Sequence, residues 1–198
     1  VAARNPEPAR TSILEAAARI LRRGGSGTID QVAREAHCAK GLVHYHYRTK
    51  SALLAAVAAR LGQARRARWS RAFTNPSPDA AIRASWNLLL AENADGSLRA
   101  WLALLAHKDR ATGRAVSLEM ATFAEALTQS VAGWLAQLSL VPTVPIEEIG
   151  SLLASVVWGM GLLLAAGRPP AQLQGAYDAA WAGVLSLTRP APRGANAT

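Results

Sequence analysis

The sequence specifies an all-α protein, and three observations predict it. Apolar residues recur every three or four positions along almost the whole chain, which is the spacing of one helix face. Alternating β-branched runs are nearly absent, while Ala and Leu dominate. The breaks in this pattern fall on Gly, Pro, Asn and Ser, at positions that start or stop helices.

Taken in order, residues 1–6 read as a mobile arm. Glu7 to Arg23 predicts a first helix with Ile13, Ala16, Ala17, Ile20 and Leu21 facing inward, ended by Gly24-Gly25. Thr28 is placed to cap the next helix, with Gln31 three residues on as its capping-box partner. Ile29, Val32, Ala33 and Ala36 form that helix's buried stripe. A tight corner at His37-Cys38-Ala39 leads to a third helix, about Lys40 to Tyr47, with Val43 and Tyr47 inward. Thr49 can cap a fourth, from Lys50 to about Phe73, on a face of Leu53, Leu54, Val57 and Leu61.

Thr74-Asn75-Pro76-Ser77-Pro78-Asp79 is the clearest break and predicts a junction between two domains, 1–73 and 74–188. Beyond it, helices are expected at about 78–93 (Ile82, Trp86, Leu89, Leu90) and around Leu98, Trp101, Leu102 and Leu105. Thr112-Gly113 is read as a break. A long helix then runs to about Leu140, carrying Met120, Phe123, Leu127, Val131, Trp134 and Leu138. Pro142 and Pro145 precede the next helix, whose first turn holds Glu147 and Glu148, where the helix dipole favours acids. Gly167-Arg168-Pro169-Pro170 separates it from a last helix, about 171–187, on Leu173, Tyr177, Trp181, Val184 and Leu185. About nine helices result, and the tail 189–198 is expected to be disordered.

Charge is divided unevenly. Residues 1–72 carry twelve Arg and two Lys against four acids, a surplus of +10, whereas residues 73–198 carry eight basic and nine acidic groups. A polyanionic partner is therefore expected for the first third. The 28–47 segment, TIDQVAREAHCAKGLVHYHY, gives this a geometry. A helix, a tight corner and a second short helix of this size fit a DNA major groove. Lys40 and Lys50 sit at helix N-termini, where free backbone N–H groups help bind phosphates. Gly41 lets a backbone approach closely, and His44, Tyr45 and His46 present polar rings. Thr28 completes the candidate DNA-binding set.

No nucleophile–base constellation, phosphate loop or metal-ligand spacing is legible, so neither an enzyme nor a cofactor or metal is expected. His44 and His46, two apart, lie on different helix faces. Cys38 is the only cysteine, which excludes an intrachain disulfide and fits a reducing, cytoplasmic compartment. It reads as a small apolar corner residue; the alternative is a redox-sensing thiol. VAARNPEPAR lacks the apolar core of a secretory signal.

These residues resemble the TetR family of bacterial transcriptional regulators over about residues 10–58. The resemblance is carried by Arg10, by ILEAA at 13–17, by the Gly24-Gly25 break, by the helix at 28–36, and by KGLVHYHY with Lys50 after it. It implies a three-helix helix-turn-helix DNA-binding domain, a helical ligand-binding and dimerisation domain behind it, and a homodimeric repressor released from a palindromic operator by a small effector. This sequence departs from the family pattern at the corner, where His37, Cys38 and Ala39 replace a Gly, a small aliphatic residue and Ser. Leu42 stands where a polar residue often reads a base, and His44 replaces a phosphate-binding Tyr. The target sequence is thus open, while the docking mode is not.

For the effector, Trp86, Trp101, Leu105, Met120, Phe123 and Trp134 are the candidate pocket walls for a small apolar or aromatic ligand, with His107, Glu119 and Gln129 as polar orienters. The alternative is a filled core with no effector. Residues 149–166 hold no charge over eighteen positions, the lower edge of a membrane span. Ser151, Ser155 and Gly159, four apart, make a small-residue stripe. With Trp158, Tyr177, Trp181 and Val184 they are read as a dimer interface rather than a membrane span.

Overall fold

In a computed structural model, residues 6–192 are described. Residues 1–5 of the arm and the tail from residue 193 lie outside the described residues. Within them the order is α1 (Pro6–Arg22), α2 (Ile29–Glu35), α3 (Lys40–His46), α4 (Lys50–Ala72), α5 (Pro78–Ala94), α6 (Ser97–Leu105), α7 (Arg110–Gln137), β1 (Leu140–Pro142), α8 (Ile146–Ala165), α9 (Pro170–Ser186) and β2 (Thr188–Pro190). The chain divides into two compact units. One takes in residues up to Arg65 together with Ala91–Ala121; the other takes in Arg66–Leu90 together with residues from Thr122 on. The division falls within α4, α5 and α7. The Thr74–Asp79 segment, expected to join two domains, is instead the α4–α5 corner inside the second unit.

In the first unit, Ile13, Ala16, Ala17, Leu21, Val32, Val43, Leu53, Leu54 and Val57 are all buried. This is the inner face that the helical spacing predicts. α1 and α2 are clamped from outside by Glu35, which accepts from Arg19 Nε at 2.9 Å and from Arg23 Nη2 at 2.5 Å. These two guanidinium groups hold the Glu35 carboxyl below its usual range. α6 is tied to the end of α1 by Arg99, whose Nη1 donates to the Arg22 carbonyl at 3.1 Å. Gly96 precedes α6 with φ +77°, and a Cβ there would collide with the same Arg22 carbonyl oxygen. Both the left-handed backbone and the close approach require glycine.

The second unit is built on aromatic rings. Phe73 packs on Trp134 and Trp181, Trp134 on Trp181, and Trp181 on Tyr177, which in turn meets Trp86. A second group joins Trp69, Phe123 and Trp158 edge to face. Two of these rings are also held by their polar ends. Trp134 Nε1 donates to the Asn75 carbonyl at 2.9 Å, and the Tyr177 hydroxyl donates to Ser85 Oγ at 2.8 Å. Burial pushes the Tyr177 phenol up from its ordinary pKa.

Two boundaries differ from expectation. Thr112 and Gly113 lie inside α7 rather than at a break, because Asp109 starts the helix earlier. Its Oδ1 accepts from Ala111 N at 3.1 Å and Thr112 N at 2.9 Å, the work of an N-cap. The tail is ordered at its start. Thr188–Pro190 pairs antiparallel with Leu140–Pro142, and the Leu187 carbonyl accepts from both N and Oγ1 of Thr143 at 2.8 Å.

Candidate nucleic-acid interface

Local rules position α2 and α3. Thr28 Oγ1 accepts from Gln31 N at 3.3 Å and Gln31 Oε1 accepts from Thr28 N at 3.1 Å, so the capping box closes. The corner turns at His37, whose φ of +51° lies in the left-handed region that usually demands glycine. The Cys38 amide then donates to the Ala33 carbonyl at 3.0 Å and satisfies an end-of-helix acceptor. Ala39 offers no side-chain cap to α3. Thr49 does cap α4, accepting from Ala52 N at 3.0 Å.

Of α3, only Val43 is buried. Tyr47, just after it, is 4% exposed. Its hydroxyl lies 3.5 Å from the Arg10 carbonyl, and the Arg10 guanidinium sits over its ring at 5.8 Å. Tyr47 is therefore an anchor between α1 and α3. The helix turns most of its other side chains outward. Lys40, Gly41, Leu42, His44 and Tyr45 are exposed, Tyr45 to 75%, and His46 and Lys50 are half-buried. A Cβ at Gly41 would meet nothing within 4 Å, so this position faces open space. Tyr45 and His46 rings meet edge to face at 5.1 Å. A groove of about 750 Å³ runs beside them, bounded by Ser12, Ile13, Cys38, Leu42, Tyr45 and His46. Burial raises the Cys38 thiol above its ordinary pKa, which works against thiolate chemistry there.

Lys40 is not a bare cation. Its Nζ lies 2.8 Å from Asp30 Oδ1, across from the first turn of α2. Both side chains are more than half exposed. The Lys40 ammonium, by hydrogen bond and charge, holds the Asp30 carboxyl below the usual carboxylate range. Asp30 was not among the residues the sequence singles out, because a ten-residue separation across a corner has no recurring spacing.

The residues read as pocket walls are divided between the two units. Trp86, Phe123 and Trp134 belong to the second unit and Trp101, Leu105 and Met120 to the first. Trp86, Phe123 and Trp134 are spent on ring-to-ring packing, Trp101 is buried, and Leu105 is 47% exposed. A crevice beside Trp69 and Phe123 leaves no room for a water-sized sphere. Of the expected interface residues, Ser151, Ser155 and Gly159 are exposed on α8 and Trp158 is half-buried. Tyr177, Trp181 and Val184 lie inside the second unit's core, at 1% exposure or less. α8 is long and apolar enough to cross a membrane by length and composition, and 39% of its most apolar stretch is buried.

Residues 13–67 match the family model described as bacterial regulatory proteins of the TetR family. Among curated protein sequences, none matches the chain. Solved structures share the fold. A TetR-family transcriptional regulator of Mesorhizobium loti aligns with a TM-score of 0.74 at 18% identity, covering 93% of this chain and 98% of that one. A TetR transcription regulator of Haloarcula marismortui aligns at 0.73 and 20% identity, over 92% and 100%. The complex of SmeT with triclosan aligns at 0.69 and 15% identity, over 91% of each chain.

Proposed function

From a chain whose residues 13–67 are a TetR-family segment set in the TetR-family fold, we propose a homodimeric DNA-binding repressor that works in the cytoplasm on a palindromic operator. One observation carries the DNA-binding part. α3 buries only Val43 and offers Lys40, Gly41, Leu42, His44 and Tyr45 to solvent, on the strongly basic third of the chain. A short helix that spends one residue on its own core has its remaining side chains free for base edges and phosphates. Thr28 holds the α2 start, Lys50 offers a second phosphate contact at the α4 start, and His46 lies at the rim.

Dimerisation is proposed through α8 and α9. Leu152, Leu162 and Leu163 are exposed to 46%, 52% and 38%. Ser151, Ser155 and Gly159 lie on the same helix, and small residues let helices approach closely. An exposed apolar face of this kind calls for a partner, and a two-fold pairing would present two recognition helices to two half-sites. The same apolar helix could in principle lie in a bilayer, but Ser and Gly along its exposed side favour helix contact.

A small apolar or aromatic effector is proposed for the aromatic second unit, supported by the SmeT–triclosan complex in the same fold. The packing favours a second reading, a DNA-binding dimer with a filled core. Phe123, Trp134 and Trp86 already have ring partners, and the crevice beside Trp69 holds no water-sized space. Selection of duplexes from a random pool tests the DNA-binding reading. Enrichment of an inverted repeat, bound more weakly as salt rises, is expected; no enrichment even in dilute salt rejects it. Titrating small apolar aromatic compounds, triclosan among them, against the bound duplex then separates the two readings of the core. Release with quenched Trp fluorescence supports the effector.

A further inference from the structure

We propose that Asp30 is a specificity-determining residue, because it holds the Lys40 ammonium at 2.8 Å and withholds that cation from duplexes of arbitrary sequence. The inference rests on the reading of Lys40 as a phosphate contact. Lys40 is the first residue of α3 and Asp30 the second of α2, so the pair bridges the two helices of the motif across its corner. An exposed carboxylate is ionised at neutral pH in any case, and the Lys40 hydrogen bond and charge lower its pKa further.

The chemistry of an ammonium makes this more than a surface ion pair. Lys carries three donors and no acceptor. One donor on Asp30 leaves two, so Lys40 can hold the carboxylate and a phosphate oxygen together. The carboxylate then fixes where the remaining donors point. A phosphate brought there by correct docking is met by an oriented cation. A duplex bound loosely, in varying registers, meets a pair with no net charge. Non-specific affinity is almost entirely the sum of such cation–phosphate contacts, so neutralising one cation reduces it. The exposure of both side chains fits this role, since the pair contributes little to folding.

The test compares the full-length protein with Asp30→Asn, Asp30→Glu, Lys40→Ala and the Asp30→Asn/Lys40→Ala double variant. Each is titrated with a selected duplex and with a random-sequence duplex over a range of salt. Asp30→Asn is expected to tighten random-duplex binding about threefold or more and to steepen its salt slope by up to about one. Affinity for the selected duplex should change less, so the ratio of the two falls. Asp30→Glu should keep most of the ratio. In the Lys40→Ala background, Asp30→Asn should have little effect, since the coupling requires both partners. If Asp30→Asn raises random binding equally with and without Lys40, Asp30 acts only as a general negative charge and the proposal is overturned. If Lys40→Ala weakens binding but Asp30→Asn leaves the ratio unchanged, the proposal fails while the DNA-binding reading stands. If Lys40→Ala leaves both affinities and both slopes unchanged, the phosphate contact and the proposal fall together.

Discussion

Arg65 and Glu92 form a buried ion pair, with Nε 3.2 Å from Oε1 and Nη2 3.1 Å from Oε2. Both side chains are about as buried as any Leu in the core. Taking two charges out of water is costly, and their attraction in the protein interior offsets much of that cost. Removing one partner should therefore be far worse than replacing both. Glu92→Leu is expected to destabilise the protein by about 3–5 kcal/mol, whereas Arg65→Met with Glu92→Leu should lie within about 1–2 kcal/mol of the parent. Urea denaturation of the three proteins decides it. Equal losses for the single and double variants would contradict the pairing.

Asp109 supplies a pH dependence. The Thr112 hydroxyl and amide, then the Ser51 hydroxyl and the charge on His107, all favour its ionised form, and its pKa is strongly lowered. His107 Nδ1 lies 2.6 Å from its other oxygen. A carboxylate depressed on folding contributes stability above its unfolded pKa of about 3.9 and loses it as pH falls toward the folded value. The melting temperature should thus drop below about pH 4, and Asp109→Asn should flatten that limb while lowering the plateau at neutral pH. An acid limb identical to the parent's would show that Asp109 is not the group responsible.

The corner between α2 and α3 carries two removable costs. His37 at φ +51° bears the left-handed penalty of about 1–2 kcal/mol. Glycine gives back about 0.5–1 kcal/mol of backbone entropy. His37→Gly is expected to stabilise by up to about 1 kcal/mol, the difference of the two. Ala39→Ser should add about 1 kcal/mol by capping α3. Higher urea midpoints at unchanged slope are the expected signature, and a loss of stability in either variant would count against the strain and capping arguments.

For the paired state, Leu162 is the most direct probe, being 52% exposed on α8. Leu162→Glu should raise the dimer dissociation constant at least about tenfold, about 1.4 kcal/mol, by placing a charge in the contact. Sedimentation of parent and variant across a concentration series reads this directly. An unaltered dimer would move the interface elsewhere.

DNA contacts divide into positioning and reading. Lys50→Ala should weaken binding to every duplex and flatten the salt slope by about one contact. Leu42→Ala should relax sequence preference more than affinity, since Leu42 is 37% exposed and can meet only an apolar base edge. Matching losses on selected and random duplexes would remove Leu42 from the reading set.

Much of the fold was legible because its signals are local. The Thr28–Gln31 capping box, the Thr49 cap and the inward faces of α1 to α4 follow from spacing alone. The α7 start differs from the one the sequence predicts because Thr112-Gly113 looks like a breaker in one dimension, while the cap at Asp109 acts from three residues earlier. An apolar stripe does not say which neighbour covers it: Tyr177 meets Trp86 and Trp181 meets Trp134 within the second unit. Asp30 and the Arg65–Glu92 pair were not legible for the same reason. Each depends on side chains from different helices meeting, and no periodicity records that.

The short pairing of β1 with β2 also sets a limit on how far the chain can be cut back. Val141 faces Arg189 across it, and the Leu187 carbonyl latches onto Thr143. A cut made before Thr188 strips the Leu140–Pro142 segment of its backbone partners at the point where the chain turns from α7 into α8. An affinity handle appended past Ala191, whose amide donates to the Ser139 carbonyl at 2.7 Å, leaves that stitch intact.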